Sequence, residues 1–259
     1  IVGTNGVGVT PEGRLVGFRD IRPPYGAFAE QTLAKQVFPI PEDIDPVKAS
    51  AIPSAALTSL LPLKYSAKLQ PGDTVLINGA TGVSGRIAVQ IAKALRAGKV
   101  VATGRNPHSL KIVQELGADE LISLEQTDEA LTQSFISAGG STGFDVVVDF
   151  LWGHPAEVLI HTFTPSVAGF ARQSTRYIQI GMKAGSHISL HASALRTSGL
   201  QLMGIGKISD ERLTRELDQV WSWIREDRLY MEIKQVPLQE ISTAWQREDL
   251  AGKRLVIIP

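Results

Sequence analysis

The chain has 259 residues, 43% of them hydrophobic and 20% charged, the balance of a folded protein with a sizeable core rather than of a disordered one. Its 26 Lys and Arg equal its 26 Asp and Glu, so no overall field recruits nucleic acid or an anionic membrane surface. It has no cysteine, which excludes disulfides, thiolate zinc sites and cysteine nucleophiles together, and no apolar run reaches the roughly 18 residues of a membrane span, so a cytoplasmic protein is expected.

The chain opens "IVGTNGVGVTPEGRLVGF", with a strand-like "RLVGF" among Gly and Pro turns. It lacks the basic and apolar regions of a signal peptide and reads like the middle of a β-rich unit, so further sequence before Ile1 is expected. Up to about residue 45 the reading is short strands and turns. From about 72 to 206, β-branched runs alternate with helical patterns. Strands are predicted at Thr74–Asn78, Lys99–Thr103, Glu120–Ile122, Phe144–Asp149, Arg176–Ile180 and Leu200–Ile205. Helices are predicted near Ser84–Leu95, Pro107–Leu116, Thr127–Ser137 and Ala156–Phe163. That alternation predicts an α/β, doubly wound parallel sheet. Leu213, Leu217, Val220 and Ile224 share a helical face in Asp210–Arg228. The strand-like "YMEIKQVPL", a helix near Glu240–Glu248 and a last strand "RLVIIP" follow, so both chain ends are expected to share a second, smaller domain. The expected division is 1–48 with 229–259, and 49–228.

The run "NGATGVSG" places Gly79, Gly82 and Gly85 between the first strand of the alternating region and its helix. A phosphate on a helix N-terminus needs backbone N–H groups within reach, and a Cβ would hold it off. Gly79 and Gly82 permit that approach, and Gly85 lets the helix pack close to the sheet. A tight turn without a ligand is the plainer alternative. An NAD site places a carboxylate about 20 residues on to bind the ribose. Here the second strand ends Thr103, Gly104, Arg105, Asn106, with no carboxylate to repel a 2′-phosphate and an arginine to bind one, so NADP(H) is the expected cofactor.

Other constellations carry less. Tyr230 and Lys234 have the Y-x-x-x-K spacing of a tyrosine-lysine catalytic pair, but in a segment that alternates like a strand the two need not stack. His187 and His191 are four apart in a loop with no third ligand nearby; like His154 and His161 they read as solvated or structural. Trp221 and Trp223 read as packing. Asp145 and Asp149 flank an apolar strand, Asp149 as either a ribose contact or a cap.

The segments "PGDTVLINGATGVSGRIAVQIAKAL", "KVVATGRN", "ELGADELISL", "FDVVVDFLWG" and "IQIGMKAG", with "YGAFAEQTLA" before them and "AGKRLVIIP" after, resemble the zinc-independent, quinone oxidoreductase-like branch of the medium-chain dehydrogenase/reductase superfamily along essentially the whole chain. The resemblance implies a GroES-like catalytic domain built from both chain ends, part of it preceding Ile1, closing over NADPH. It implies that Gly79, Ala80, Thr81, Gly82, Val83, Ser84 and Gly85 cradle the pyrophosphate, and that Gly104, Arg105 and Asn106 face the adenosine phosphate. Phe150, Leu151, Trp152, Gly181 and Met182 would lie by the ribose and nicotinamide, with Thr58 of "AALTSL" near the nicotinamide. The family's Tyr after the third strand and Lys after the second are replaced by Leu124 and by Arg105 with His108. The implied activity is metal-free hydride transfer from NADPH to a quinone or activated alkene, with Tyr65 as candidate proton donor. Carbonyl reduction or alcohol oxidation, and a non-catalytic NADPH-binding protein like the lens crystallins of this fold, are the alternatives. A homodimer through the edge of the sixth strand, "LQLMGIG", is also implied, that edge being expected to be long and apolar.

Overall fold

The computed structural model describes residues 1–163, 173–247 and 249–259. The chain divides into two compact units, Ile1–Ala55 with Leu217–Pro259, and Ala56–Glu216.

In the first unit, β1 (Asn5–Val9), β2 (Leu15–Ile21) and β3 (Ala34–Pro39) form an antiparallel sheet in that order. Helix α1 (Pro46–Leu61) begins in this unit and ends in the second. The sequence reading contained no helix there; Pro46 opens it, where its missing N–H is no loss.

The second unit is built on six parallel strands: β4 (Thr74–Asn78), β5 (Lys99–Gly104), β6 (Glu120–Ser123), β7 (Val146–Asp149), β8 (Thr175–Gln179) and β9 (Leu200–Met203). Their spatial order, β6-β5-β4-β7-β8-β9, is that of a doubly wound dinucleotide-binding sheet. The connecting helices are α2 (Val83–Ala94), α3 (Pro107–Glu115), α4 (Asp128–Gly139), α5 (Gly153–Phe163) and the short α6 (Ala192–Arg196). Central strands are buried on both faces, so Val75, Leu76, Ile77, Val146, Val147 and Val148 form unbroken apolar runs with no exposed surface. Helix α3 starts on Asn106, whose side chain accepts from Ser109 N at 2.9 Å with Pro107 next in line. Helix α4 starts on Thr127, with Asp128 and Glu129 in its first turn.

Helix α7 (Asp210–Arg225) leads from the second unit back to the first, and Trp221 and Trp223 are buried along it. The chain closes with the parallel pair β10 (Ile233–Pro237) and β11 (Arg254–Ile258). Between them lie a tight turn at Leu238–Glu240 and α8 (Ile241–Trp245); Glu248, the end of the helix expected there, is outside the described residues. Several boundaries differ from the sequence reading, α5 starting at Gly153 rather than Ala156 among them. Strand β7 starts at Val146 rather than Phe144, and α7 ends at Arg225 rather than Arg228. The edge strand β9 is four residues rather than a long apolar edge, because Gly204 and Gly206 follow at once and give the chain nothing to pack. Among the described residues no helix is long and apolar enough to cross a membrane.

Candidate functional site

In an open parallel sheet, ligands bind outside the carboxyl ends of the strands where the order reverses. Here that point lies between β4 and β7. The glycine loop follows β4: Gly79 takes a positive φ of 86°, its amide donates to Thr103 Oγ1 at 2.9 Å, and Ala80 N donates to Thr103 O at 2.9 Å. The Leu151 side chain packs over Gly79, where a Cβ would come within 2.8 Å of it. A Cβ on Gly85 would strike the Gly79 carbonyl and the Ala80 backbone, so only glycine lets α2 approach the loop this closely. Gly82 caps α2 with no side-chain hydrogen bond and open space above its Cα, unlike α3 and α4, whose first turns their own Asn106 and Thr127 satisfy. Its first-turn amides therefore point at the open side of the loop. Thr81, Val83 and Ser84 are half-buried around it.

Gly104 closes β5, where a Cβ would collide with Thr81 Cγ2. Arg105 beyond it is exposed, and no carboxylate pairs with it among the described residues. Asn106 spends its side-chain oxygen on capping α3. Phe150, Leu151 and Trp152 form a half-buried turn after β7, with Trp152 at φ 56° and its ring edge-on to Tyr177 at 6.3 Å. That turn is laced to the segment after β8: Gly181 N donates to Asp149 O at 3.0 Å and Ala184 N to Leu151 O at 2.8 Å. Met182 stands 67% exposed beside it. Trp152, Gln179, Met182, Ser186, Leu202 and Met203 line a cleft of about 360 Å³. A separate cavity of about 340 Å³ opens at the amino ends of β7 and β8, beside Phe144 and Thr175, on the edge of the sheet away from these loops. Ser59 Oγ on α1 donates to Ser84 O at 3.4 Å, so α1 borders the glycine loop, with half-buried Thr58 the preceding residue.

The sequence reading missed what joins these loops. The Thr103 hydroxyl donates to Asn78 Oδ1 at 2.7 Å, and Asn78 Nδ2 donates to Asp149 Oδ1 at 3.0 Å. Tyr177 donates its hydroxyl to Asp149 Oδ2 at 2.7 Å. Leu151 N and Trp152 N donate to the same carboxylate at 2.8 and 3.2 Å. Asp149 has no exposed surface, and burial raises its carboxyl above the ordinary aspartate value despite those donors. Its carboxylate closes the turn after β7 by accepting those two amides. The available signal was a polar residue ending each of several apolar strands.

Tyr65 lies on a wide turn, Pro62–Ser66, that ends α1. Its hydroxyl donates to Glu216 Oε1 at 2.6 Å and accepts from Arg215 at 2.9 Å, and Arg212 stacks 4.7 Å from its ring. Lys64 completes the cage around Glu216, whose side chain is fully buried, at 2.7 Å. Tyr65 thus belongs to an ion cluster between that turn and α7. Tyr230 precedes β10, which contains Lys234, so the two share no helical face. His154 pairs with Asp128 at 2.8 Å, His187 bonds Ser186 at 2.8 Å, and His191 caps α6. Among the described residues no three His, Asp or Glu side chains gather as a metal site.

Residues 84–224 match the family model described as zinc-binding dehydrogenase. The chain is 25% identical over 240 residues to quinone oxidoreductase-like protein 2 of Bos taurus, covering 90% of this chain and 65% of that one. It spans 49% of each of the rat and mouse proteins of that name. An Escherichia coli quinone oxidoreductase complexed with NADPH superposes with a TM-score of 0.81 at 20% identity, over 100% of this chain and 82% of its own. An NAD-dependent alcohol dehydrogenase does so at 0.77 and 22%, over 100% and 82%. These likenesses establish the fold, a dinucleotide-binding sheet with a smaller GroES-like, β-rich part from both chain ends. With more than half of its length matched, the chain belongs to the zinc-binding dehydrogenase family and, within the medium-chain dehydrogenase/reductase superfamily, to the quinone oxidoreductase-like branch.

Proposed function

We propose that the chain contains the nucleotide-binding domain and part of the catalytic domain of an NADPH-dependent oxidoreductase that passes hydride to a quinone or an activated alkene such as an enone, without a metal. One observation carries this: the uncapped first turn of α2 behind Gly82 lies on the same edge of the sheet as exposed Arg105, with no carboxylate on the loop between. The first suits a pyrophosphate and the second a 2′-phosphate. Gly79, Ala80, Thr81, Gly82, Val83, Ser84 and Gly85 would hold the pyrophosphate, and Gly104, Arg105 and Asn106 the adenosine phosphate. Thr58, Phe150, Leu151, Trp152, Gly181 and Met182 would flank the ribose and nicotinamide. When bound, the nicotinamide supplies the hydride. The chain's own residues hold it at the strand ends, orient it and exclude water.

The quinone oxidoreductase names among the relatives support the substrate class. The zinc in the family's name finds no fit in these residues, since the chain has no cysteine and no gathered donor set among the described residues, so no step runs through it. The functional domains we propose are 49–228 for the nucleotide and 1–48 with 229–259 for the substrate side, which keeps α7 whole and most of α1 with the sheet. We further propose a homodimer through β9.

The deciding experiment titrates the protein with NADPH and with NADH, followed by tryptophan fluorescence, for wild type and Arg105→Ala. NADPH should bind at least about tenfold tighter than NADH, and the variant should lose that margin, about 1.4 kcal/mol. Equal affinity for both nucleotides would favour an NAD-dependent alcohol dehydrogenase reading, the activity named for one structural neighbour. Binding of neither would end the reductase reading.

A further inference from the structure

We propose that Asp149 is the positioning residue of the dinucleotide site, its carboxylate locking the Leu151–Trp152 turn against the glycine loop; this rests on the nucleotide-binding reading above. Four adjacent strands, β5, β4, β7 and β8, converge on it through Thr103, Asn78, Asp149 itself and Tyr177. On one side the chain of hydrogen bonds runs from the Gly79 amide through the Thr103 hydroxyl and the Asn78 amide to Oδ1 of Asp149. On the other side the same carboxylate accepts the amides of Leu151 and Trp152. Both walls of the proposed cofactor groove thus end on one group.

The geometry it enforces is one the turn does not favour unaided. Trp152 sits in the left-handed region at φ 56°, which a bulky residue occupies only when its surroundings hold it there. Gly153 follows at φ 59°, where a Cβ would lie 2.7 Å from Ala184 O. The turn carries the Leu151 side chain over Gly79 and sets the Trp152 ring into the cleft wall with Met182. A group that merely filled the space would satisfy packing. Only an acceptor with two oxygens takes the Tyr177 hydroxyl, the Asn78 amide and two backbone amides at once.

The test uses the protein as it stands, with Asp149→Asn and Tyr177→Phe. Hydrogen exchange at the Leu151 and Trp152 amides reads the lock without any ligand. NADPH titration, and the KM for NADPH against kcat with 9,10-phenanthrenequinone, read its effect on the site. In Asp149→Asn the two amides should lose protection while β4 and β7 keep theirs. NADPH should bind about tenfold or more weakly, with the KM for NADPH rising and kcat at saturation nearly unchanged. Protection at 151 and 152 and an NADPH affinity within about twofold of wild type would overturn the proposal, as would losses spread evenly over the sheet. If Asp149→Asn does not fold, Tyr177→Phe carries the test: it removes one donor, should weaken NADPH about threefold, and overturns the proposal if neither affinity nor protection moves. Wild type that binds neither NADPH nor NADH overturns it too, and that failure, in the parent protein rather than the variant, marks the nucleotide reading as the broken step.

Discussion

Asp149 carries a carboxyl into a place with no exposed surface. Burial is the largest influence on its carboxyl and raises it; Tyr177, the Leu151 and Trp152 amides and Asn78 pull the other way without prevailing. The Tyr177 hydroxyl is pushed well above its ordinary value, by burial first and then by the Asp149 charge. A carboxyl raised on folding holds its proton more tightly in the native chain than in the unfolded one. The stability tied to it is therefore present in full below the unfolded value and is lost as pH climbs through the native one. The unfolding free energy of wild type minus that of Asp149→Asn, from urea titrations at steps between about pH 3 and pH 7, should slope downward and then level. An upward slope would mean that the donors outweigh burial.

Helix α2 shows how one element meets two demands. Ile87, Ala88, Val89, Ile91 and Ala92 are fully or almost fully buried against the sheet, each large aliphatic among them worth about 1.5–3 kcal/mol. The start of the helix must reach the loop backbone, which Gly85 alone permits. Gly85→Ala has no flexible side chain to push aside, only the Gly79 carbonyl and the Ala80 backbone. It should cost about 1–3 kcal/mol in chemical denaturation and weaken NADPH binding, whereas Gly140→Ala, with nothing within 4 Å, should leave that binding unchanged. This element was legible in the sequence because an apolar run, a glycine loop and a 3.6-residue period follow one another without interruption. Helix α1 was not. Ala51, Ile52, Ala55, Ala56, Leu60 and Leu61 are all buried, so it has no alternation of apolar and polar faces to betray it. The Thr103, Asn78, Asp149 and Tyr177 network was illegible for another reason: its members meet only because β5, β4, β7 and β8 are neighbours, and strand order is a property of the folded sheet.

At the scale of the whole molecule, the equal counts of acidic and basic residues leave short-range surfaces to decide association. Strand β9 closes one side of the six-stranded sheet, with Leu202 36% exposed and Leu195 of the preceding helix 51% exposed. A strand of four residues is a smaller template than the long edge expected from "LQLMGIG", yet its outer backbone groups still call for a partner. Sedimentation at micromolar concentration should give twice the chain mass, and Leu202→Pro, at the position whose amide faces away from β8, should shift the protein toward monomer. A wild type that sediments only as monomer would remove the β9 interface from the proposal.

The place of β4 in the sheet also shapes the order in which the chain can fold. Asn78 of β4 meets Thr103 of β5, 25 residues on, and Asp149 of β7, 71 residues on. Closing the longer loop costs about 0.9 kcal/mol more chain entropy. Contacts within the β4–β5–β6 half are therefore the cheaper to close, and the seam along which β7, β8 and β9 join it is the one where the proposed cofactor groove opens. Nascent protein would thus acquire the glycine loop before it acquires the wall that faces it.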